Sequence, residues 1–111
     1  MLEPFELTLT VLIGGTYDET ITLYQDAAMT QPYLMPSGYS ATLVSDDGQI
    51  NLSSAGGTLI LNPTSGAIRI LIGRTVTSTL KTGQSHYHIA IDDGAGDTQF
   101  PVAGIIRYRR P

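Results

Sequence analysis

Ser85-His86-Tyr87-His88-Ile89-Ala90-Ile91 runs directly into Asp92-Asp93-Gly94-Ala95-Gly96-Asp97. Side chains alternate here with a period of two, which puts Tyr87, Ile89 and Ile91 on one face and His86, His88 and Ala90 on the other. The Asp/Gly cluster is hairpin chemistry, because glycine supplies positive φ and aspartate bonds its own backbone. Ile105–Arg109 then provides a returning strand that closes the domain.

The same rhythm extends upstream. Phe5, Leu7, Leu9, Val11 and Ile13 alternate with Glu6, Thr8 and Thr10 as far as Gly14-Gly15, and Tyr17, Glu19, Ile21 and Leu23 share one face of a second strand. Gln25–Met29 is expected to be a loop, and Pro32 and Pro36 keep the next segment irregular. Tyr39–Ser45 ends at the turn Asp46-Asp47-Gly48, while Ile50–Leu52 and Thr58–Leu61 flank a flexible Ser/Gly connection. Ala67–Ile72 points Ile68, Ile70 and Ile72 one way, and Thr-rich Gly73–Leu80 fits a strand end or a single helical turn. Some seven to eight short strands without a βαβ unit predict one all-β domain over residues 1–111, an antiparallel sandwich or barrel.

Composition agrees. A chain of 111 residues with 41% hydrophobic content can bury a core without staples, and the absence of Cys excludes disulfides, thiolate metal sites and a Cys nucleophile. Net charge −4 with a pI near 4.8 argues against a nucleic-acid partner, which would require a basic surface. The longest apolar-leaning stretch, Ala67–Gly73, carries Arg69 and is far short of a membrane-spanning helix, so no membrane partner is expected. Met1-Leu2-Glu3-Pro4 lacks the basic start and apolar run of a secretion signal, which implies residence in a reducing cytoplasm. Strand faces carry Thr and Ser, with Lys81 the single lysine. Antiparallel proteins usually blunt their edges with charge, so this sparsely charged surface suggests cover by other subunits.

Candidate chemistry is thin. His86 and His88 share a strand face at a spacing that suits two imidazole ligands, yet a third ligand would have to be a carboxylate from elsewhere. We read them as solvent- or interface-facing; at a subunit contact, charging them below about pH 6.5 would weaken assembly. Asp92, Asp93 and Asp97 do not match the EF-hand spacing and read as a solvated hairpin tip. No nucleophile elbow, P-loop or zinc motif is present, so neither catalytic residues nor a cofactor are expected. Arg107-Tyr108-Arg109 combines the residue types that anchor interfaces, with both arginines on one face and Tyr108 on the other.

From Gly66 onward a longer pattern emerges: Gly66-Ala67-Ile68-Arg69-Ile70-Leu71-Ile72, a Thr/Leu segment ending at Leu80, Gly83, Tyr87-His88-Ile89-Ala90-Ile91-Asp92, Gly94, and Gly104-Ile105-Ile106. It resembles the immunoglobulin-like domains of tailed-phage virion proteins, such as the N-terminal domain of upper baseplate proteins. With Thr20–Leu23 and Gly38–Val44, the likeness covers roughly residues 16–110. Tyr39 stands where that family usually places Trp, and no fibre or coiled coil follows. The resemblance implies an immunoglobulin-like sandwich and a non-enzymatic virion component of tail, baseplate or capsid surface, partnered by other virion proteins and by copies of itself. Leu80, Gly83 and Tyr87 resemble the corner of such a sandwich, where a tyrosine near the start of a strand reaches back to the preceding loop. A capsid decoration role is one alternative; a carbohydrate-binding module using Tyr17, Tyr24, Tyr33 and Tyr39 as a stacking platform is another.

Overall fold

The computed structural model describes residues 5–25 and 31–111; the expected loop at residues 26–29 and the N-terminal residues 1–4 lie outside the described residues. In chain order the elements are β1 (Phe5–Glu6), β2 (Leu9–Leu12), β3 (Tyr17–Thr22), β4 (Ser40–Ser45), β5 (Asn51–Ser53), β6 (Leu59–Leu61), β7 (Ala67–Ile72), α1 (Arg74–Thr77), β8 (Gly83–Asp92) and β9 (Thr98–Arg109). One sheet has the order β1-β9-β8-β4-β5, with β2 also on β9, and the other has the order β3-β7-β6. The two face each other as an all-β sandwich with immunoglobulin-like connectivity.

The alternation read from the sequence fixes what lies between the sheets. Leu43 on β4, Ile68, Ile70 and Ile72 on β7, Tyr87, Ile89 and Ile91 on β8, and Val102 and Ile106 on β9 all face inward and are buried. Leu23, Met35, Ile50 and Leu80 seal the ends of this layer. Total exposed area is 6290 Å², close to the ~6,000 Å² that size scaling gives for a folded chain of this mass.

Three features differ from simple alternation. The N-terminal strand joins β9 in parallel and is interrupted: Phe5 pairs with Val102 and Leu9 with Ile106 in one unbroken register, while at Leu7 and Thr8 the pairing lapses, the Leu7 N–H still donating to the Ala103 carbonyl at 3.1 Å. The cause is Gly104. A Cβ there would run into the Leu7 carbonyl, so the edge strand can dip toward the sheet at this point only over glycine. Second, β9 begins at Thr98, well before Ile105. Ile89 pairs with Val102 and Ile91 with Gln99, so Phe100 and Pro101 together stand opposite Ala90 in a β-bulge. Third, the Thr-rich segment after β7 forms the helical turn α1, whose buried Thr77 hydroxyl donates to the Gly15 carbonyl at 2.8 Å.

Candidate functional site

The outer face of the larger sheet collects four of the five candidate interface residues, His86, His88, Arg107 and Arg109. On β8, His86, His88 and Ala90 point outward, opposite Ile105, Ala103 and the bulge respectively, and Val44 of β4 lies beside His88. His86 is exposed and His88 half-buried. The bulge turns Phe100 out onto the same face, where its ring meets His88 edge-on at 5.5 Å. Phe100 remains 60% exposed, and Leu12, on the outward side of β2, is 48% exposed. Water is a poor neighbour for either, but the two lie apart, Phe100 toward the β8–β9 hairpin and Leu12 beside Arg109, and Glu6, opposite Ala103, sets a carboxylate between them. Among the described residues no group of three or more His, Cys, Asp or Glu is placed to hold a metal ion.

Both ends of this face carry charge, and Asp46, whose N–H donates to the His86 carbonyl, puts a carboxylate at the arginine end as well. At one end Arg107 and Arg109 project outward from β9, and the Arg107 Nε is buried without a hydrogen-bond partner. At the other lies the β8–β9 hairpin tip, whose carboxylates accept the loop's own N–H groups: Gly94 N–H donates to Asp92 at 2.8 Å, and Ala95 and Asp97 N–H donate to Asp93 at 2.7 and 3.2 Å. The tip is therefore the self-capped loop that its spacing suggested, with negative charge at its rim.

The opposite sheet presents a different exterior. Asp18 of β3 and Arg69 of β7 form a bidentate pair there, with distances of 2.8 and 2.6 Å. The Arg69 hydrogen bonds hold the Asp18 carboxyl below its ordinary range.

Two expectations need correction. Tyr108 is not an interface anchor. It belongs to the inward row of β9 with Ile106, is 1% exposed, and its hydroxyl donates to the Asp47 carboxylate at 3.2 Å. Parity was read correctly, but the face opposite the arginines is the core. The Leu80–Gly83–Tyr87 corner also closes differently. Leu80 is buried and Gly83 takes φ +142°, a conformation suited to glycine, but β8 already starts at Gly83 and carries Tyr87 away from the preceding loop. The Tyr87 hydroxyl instead donates at 2.6 Å to the Leu7 carbonyl, the one freed where the edge strand leaves β9. Burial, and then the neighbouring Tyr17, push the Tyr87 phenol well above its usual range.

Tyr17, Tyr33 and Tyr39 pack partly against the core, and the Tyr33 and Tyr39 rings meet edge-on at 6.3 Å, which is not a flat stacking platform. One site that sequence reasoning treated as a plain turn is a junction. Asp47 accepts hydrogen bonds from the Ser45 hydroxyl at 2.7 Å, from the Gln49 backbone and side chain, and from Tyr108, while its N–H donates to the Ser85 hydroxyl. Burial raises its pKa, but those hydrogen bonds together outweigh it and leave the carboxyl below the usual range. Nothing local in Asp-Asp-Gly signals this, because Ser85 and Tyr108 arrive from strands far along the chain. Compared with known proteins, the sequence matches no family model and no curated protein.

Proposed function

We propose that this chain is a non-enzymatic structural component of a bacteriophage virion, an assembly module of the tail, baseplate or capsid surface that acts through protein contacts. One observation carries the reading: the outer face of the larger sheet leaves the Phe100 ring open to water against His88, with Val44, Ala90, Ala103 and Ile105 around it and Glu6 as the charge near its middle. An isolated soluble domain gains nothing from such a face, whereas a subunit that is covered on assembly loses little desolvation energy there. The likeness of Gly66–Ile72, Tyr87–Asp92 and Gly104–Ile106 to tailed-phage immunoglobulin-like domains supplies the virion part of the reading. Mass spectrometry and gold-labelled antibodies on purified particles test it. Stoichiometric presence and labelling at one fixed location are expected; absence from particles made by a phage that encodes the chain would overturn it.

A further inference from the structure

We propose that the cleft between the N-terminal strand and β3 receives an extended segment of a partner protein, which adds to β3 as one more strand and sets a single lysine or arginine against Glu19. This rests on reading the chain as a module that works through protein contacts, and it names the chemistry of one partner.

The phase of the ladders leaves a bare backbone edge on each side of this cleft. In an antiparallel pair, every second residue turns its N–H and C=O toward the neighbouring strand. The Leu23 N–H donates to the Gly66 carbonyl at 2.8 Å in continuation of the β3–β7 register, so Tyr17, Glu19 and Ile21 spend their backbone groups on β7. Those of Asp18, Thr20 and Thr22 point the other way, and β3 is the last strand of its sheet. Across the cleft, Leu7 and Ile13 donate to the Ala103 and Arg109 carbonyls, which turns the backbone groups of Thr8 and Thr10 away from β9. Between the two edges lies a space of about 330 Å³, walled by the half-buried Leu7, Tyr17 and Ile21 together with Leu9. An extended segment seated there gains main-chain hydrogen bonds from β3 and a side-chain pocket from the walls.

Glu19 selects the occupant. It belongs to the inward row of β3, between Tyr17 and Ile21 and opposite the fully buried Ile70, yet it is exposed and no described residue donates to it or forms an ion pair with it. Burial, and then the Glu19 charge, push the neighbouring Tyr17 phenol up to about 12. A carboxylate in a cleft walled by leucine and isoleucine suits a cation on an aliphatic stem, which covers the apolar walls while its head meets the charge. Side chains of an added strand alternate, so apolar residues two positions either side of the cation come to lie over Tyr17 and Ile21. The same carboxylate rejects a strand with an apolar or acidic residue at that position, which protects the edge against indiscriminate pairing. Neither stretch outside the described residues, 1–4 or 26–30, carries a lysine or arginine, so neither supplies the segment.

Amide hydrogen exchange of the full chain, read by NMR with and without a short synthetic peptide, tests the proposal. The peptide alternates Thr with Val and carries Lys at its centre; a second has Glu there instead. At millimolar Lys peptide, exchange of the Thr20 and Thr22 N–H groups should slow by about tenfold or more, and the Glu peptide should bind at least about tenfold more weakly. Glu19→Lys should reverse that preference. Thr20→Pro should abolish binding while the ladder to β7 persists, since the N–H it removes is not used there; should that variant fail to fold, the reversal by Glu19→Lys decides. Unchanged exchange with the Lys peptide, equal binding of the two peptides, or a preference indifferent to Glu19→Lys would overturn the proposal. Protection of Thr20 and Thr22 that grows with concentration in the chain alone would mean that a second copy fills the edge, and would overturn the choice of a different partner. A cleft that takes the Lys peptide, in a chain missing from purified particles, would support the docking and overturn the virion role. A chain present in particles whose cleft ignores both peptides would do the reverse.

Discussion

Replacing Tyr87 by Phe removes one oxygen from the molecule and tests how the N-terminal strand is held. The ring would keep its place, since it is 2% exposed and packed in the core, so the transfer of its carbons to the interior is unaffected. What disappears is the 2.6 Å bond to the Leu7 carbonyl. That acceptor has left the β9 ladder and is half-buried, so the loss is the larger kind, in which a partner is stranded. Such changes cost about 1–3 kcal/mol, and we take ~2 kcal/mol here. An unfolding entropy of about 2.1 cal/mol/K per residue over 111 residues gives ~0.23 kcal/mol/K, so Tm should fall by about 9 °C. Thermal melts followed by circular dichroism at neutral pH measure this directly. A second readout comes from alkaline pH. The native phenol resists ionisation, so its contribution is present in full below about pH 10, where an unfolded tyrosine titrates, and is lost as pH rises above that. The Phe variant should therefore lose less stability than the parent between neutrality and strong alkali. A Tm within about 1 °C of the parent would refute the reasoning.

Gly104→Ala should break the same junction from the other side, because its Cβ would meet the Leu7 carbonyl; a loss of about 2–3 kcal/mol in urea unfolding is expected, and the double variant with Tyr87→Phe should be less destabilised than the sum. Tyr108→Phe should cost only about 0.5–1 kcal/mol by the same assay, since Asp47 keeps its bonds from Ser45 and Gln49. The Asp47 carboxyl titrates below its unfolded value, so its stabilisation is intact above about pH 4 and disappears as pH falls further; Asp47→Asn should flatten the acid limb of a stability–pH curve. Leu43→Ala, at a fully buried central position, should cost about 3 kcal/mol in urea unfolding, whereas Arg69→Ala, on an exposed pair, should leave Tm within about 2 °C.

Regular alternation made most of this fold readable. Ile68, Ile70 and Ile72, or Tyr87, Ile89 and Ile91, announce an inward row without knowledge of any neighbour, and both rows are buried as expected. Asp46-Asp47-Gly48 and Asp92–Asp97 announce turns by local backbone chemistry. What escaped is what two distant segments decide together. The first half of β9 was hidden by Phe100-Pro101 and the bulge, which break the period of two at the place where the exposed anchor is made. The acceptor for Tyr87 lies 80 residues away, in a strand whose interruption makes sense only once Gly104 is seen beneath it. Tyr108 illustrates the limit of residue type as a guide: Arg-Tyr-Arg has the composition of an interface, but parity sends the tyrosine to the core and leaves only the arginines outside.

Covalent labelling of histidine compares the outer face in dilute solution, in concentrated solution and in purified particles. His86 and His88 are the only histidines in the chain, and both lie on that face, so a reagent specific for imidazole reports its accessibility without mutation. In dilute solution both should be modified, His86 faster than the half-buried His88. In concentrated solution, and in purified particles, modification of both should fall sharply, because the sheet that carries them is covered. Equal labelling in all three samples would mean that this face stays in water wherever the protein works, which contradicts the account.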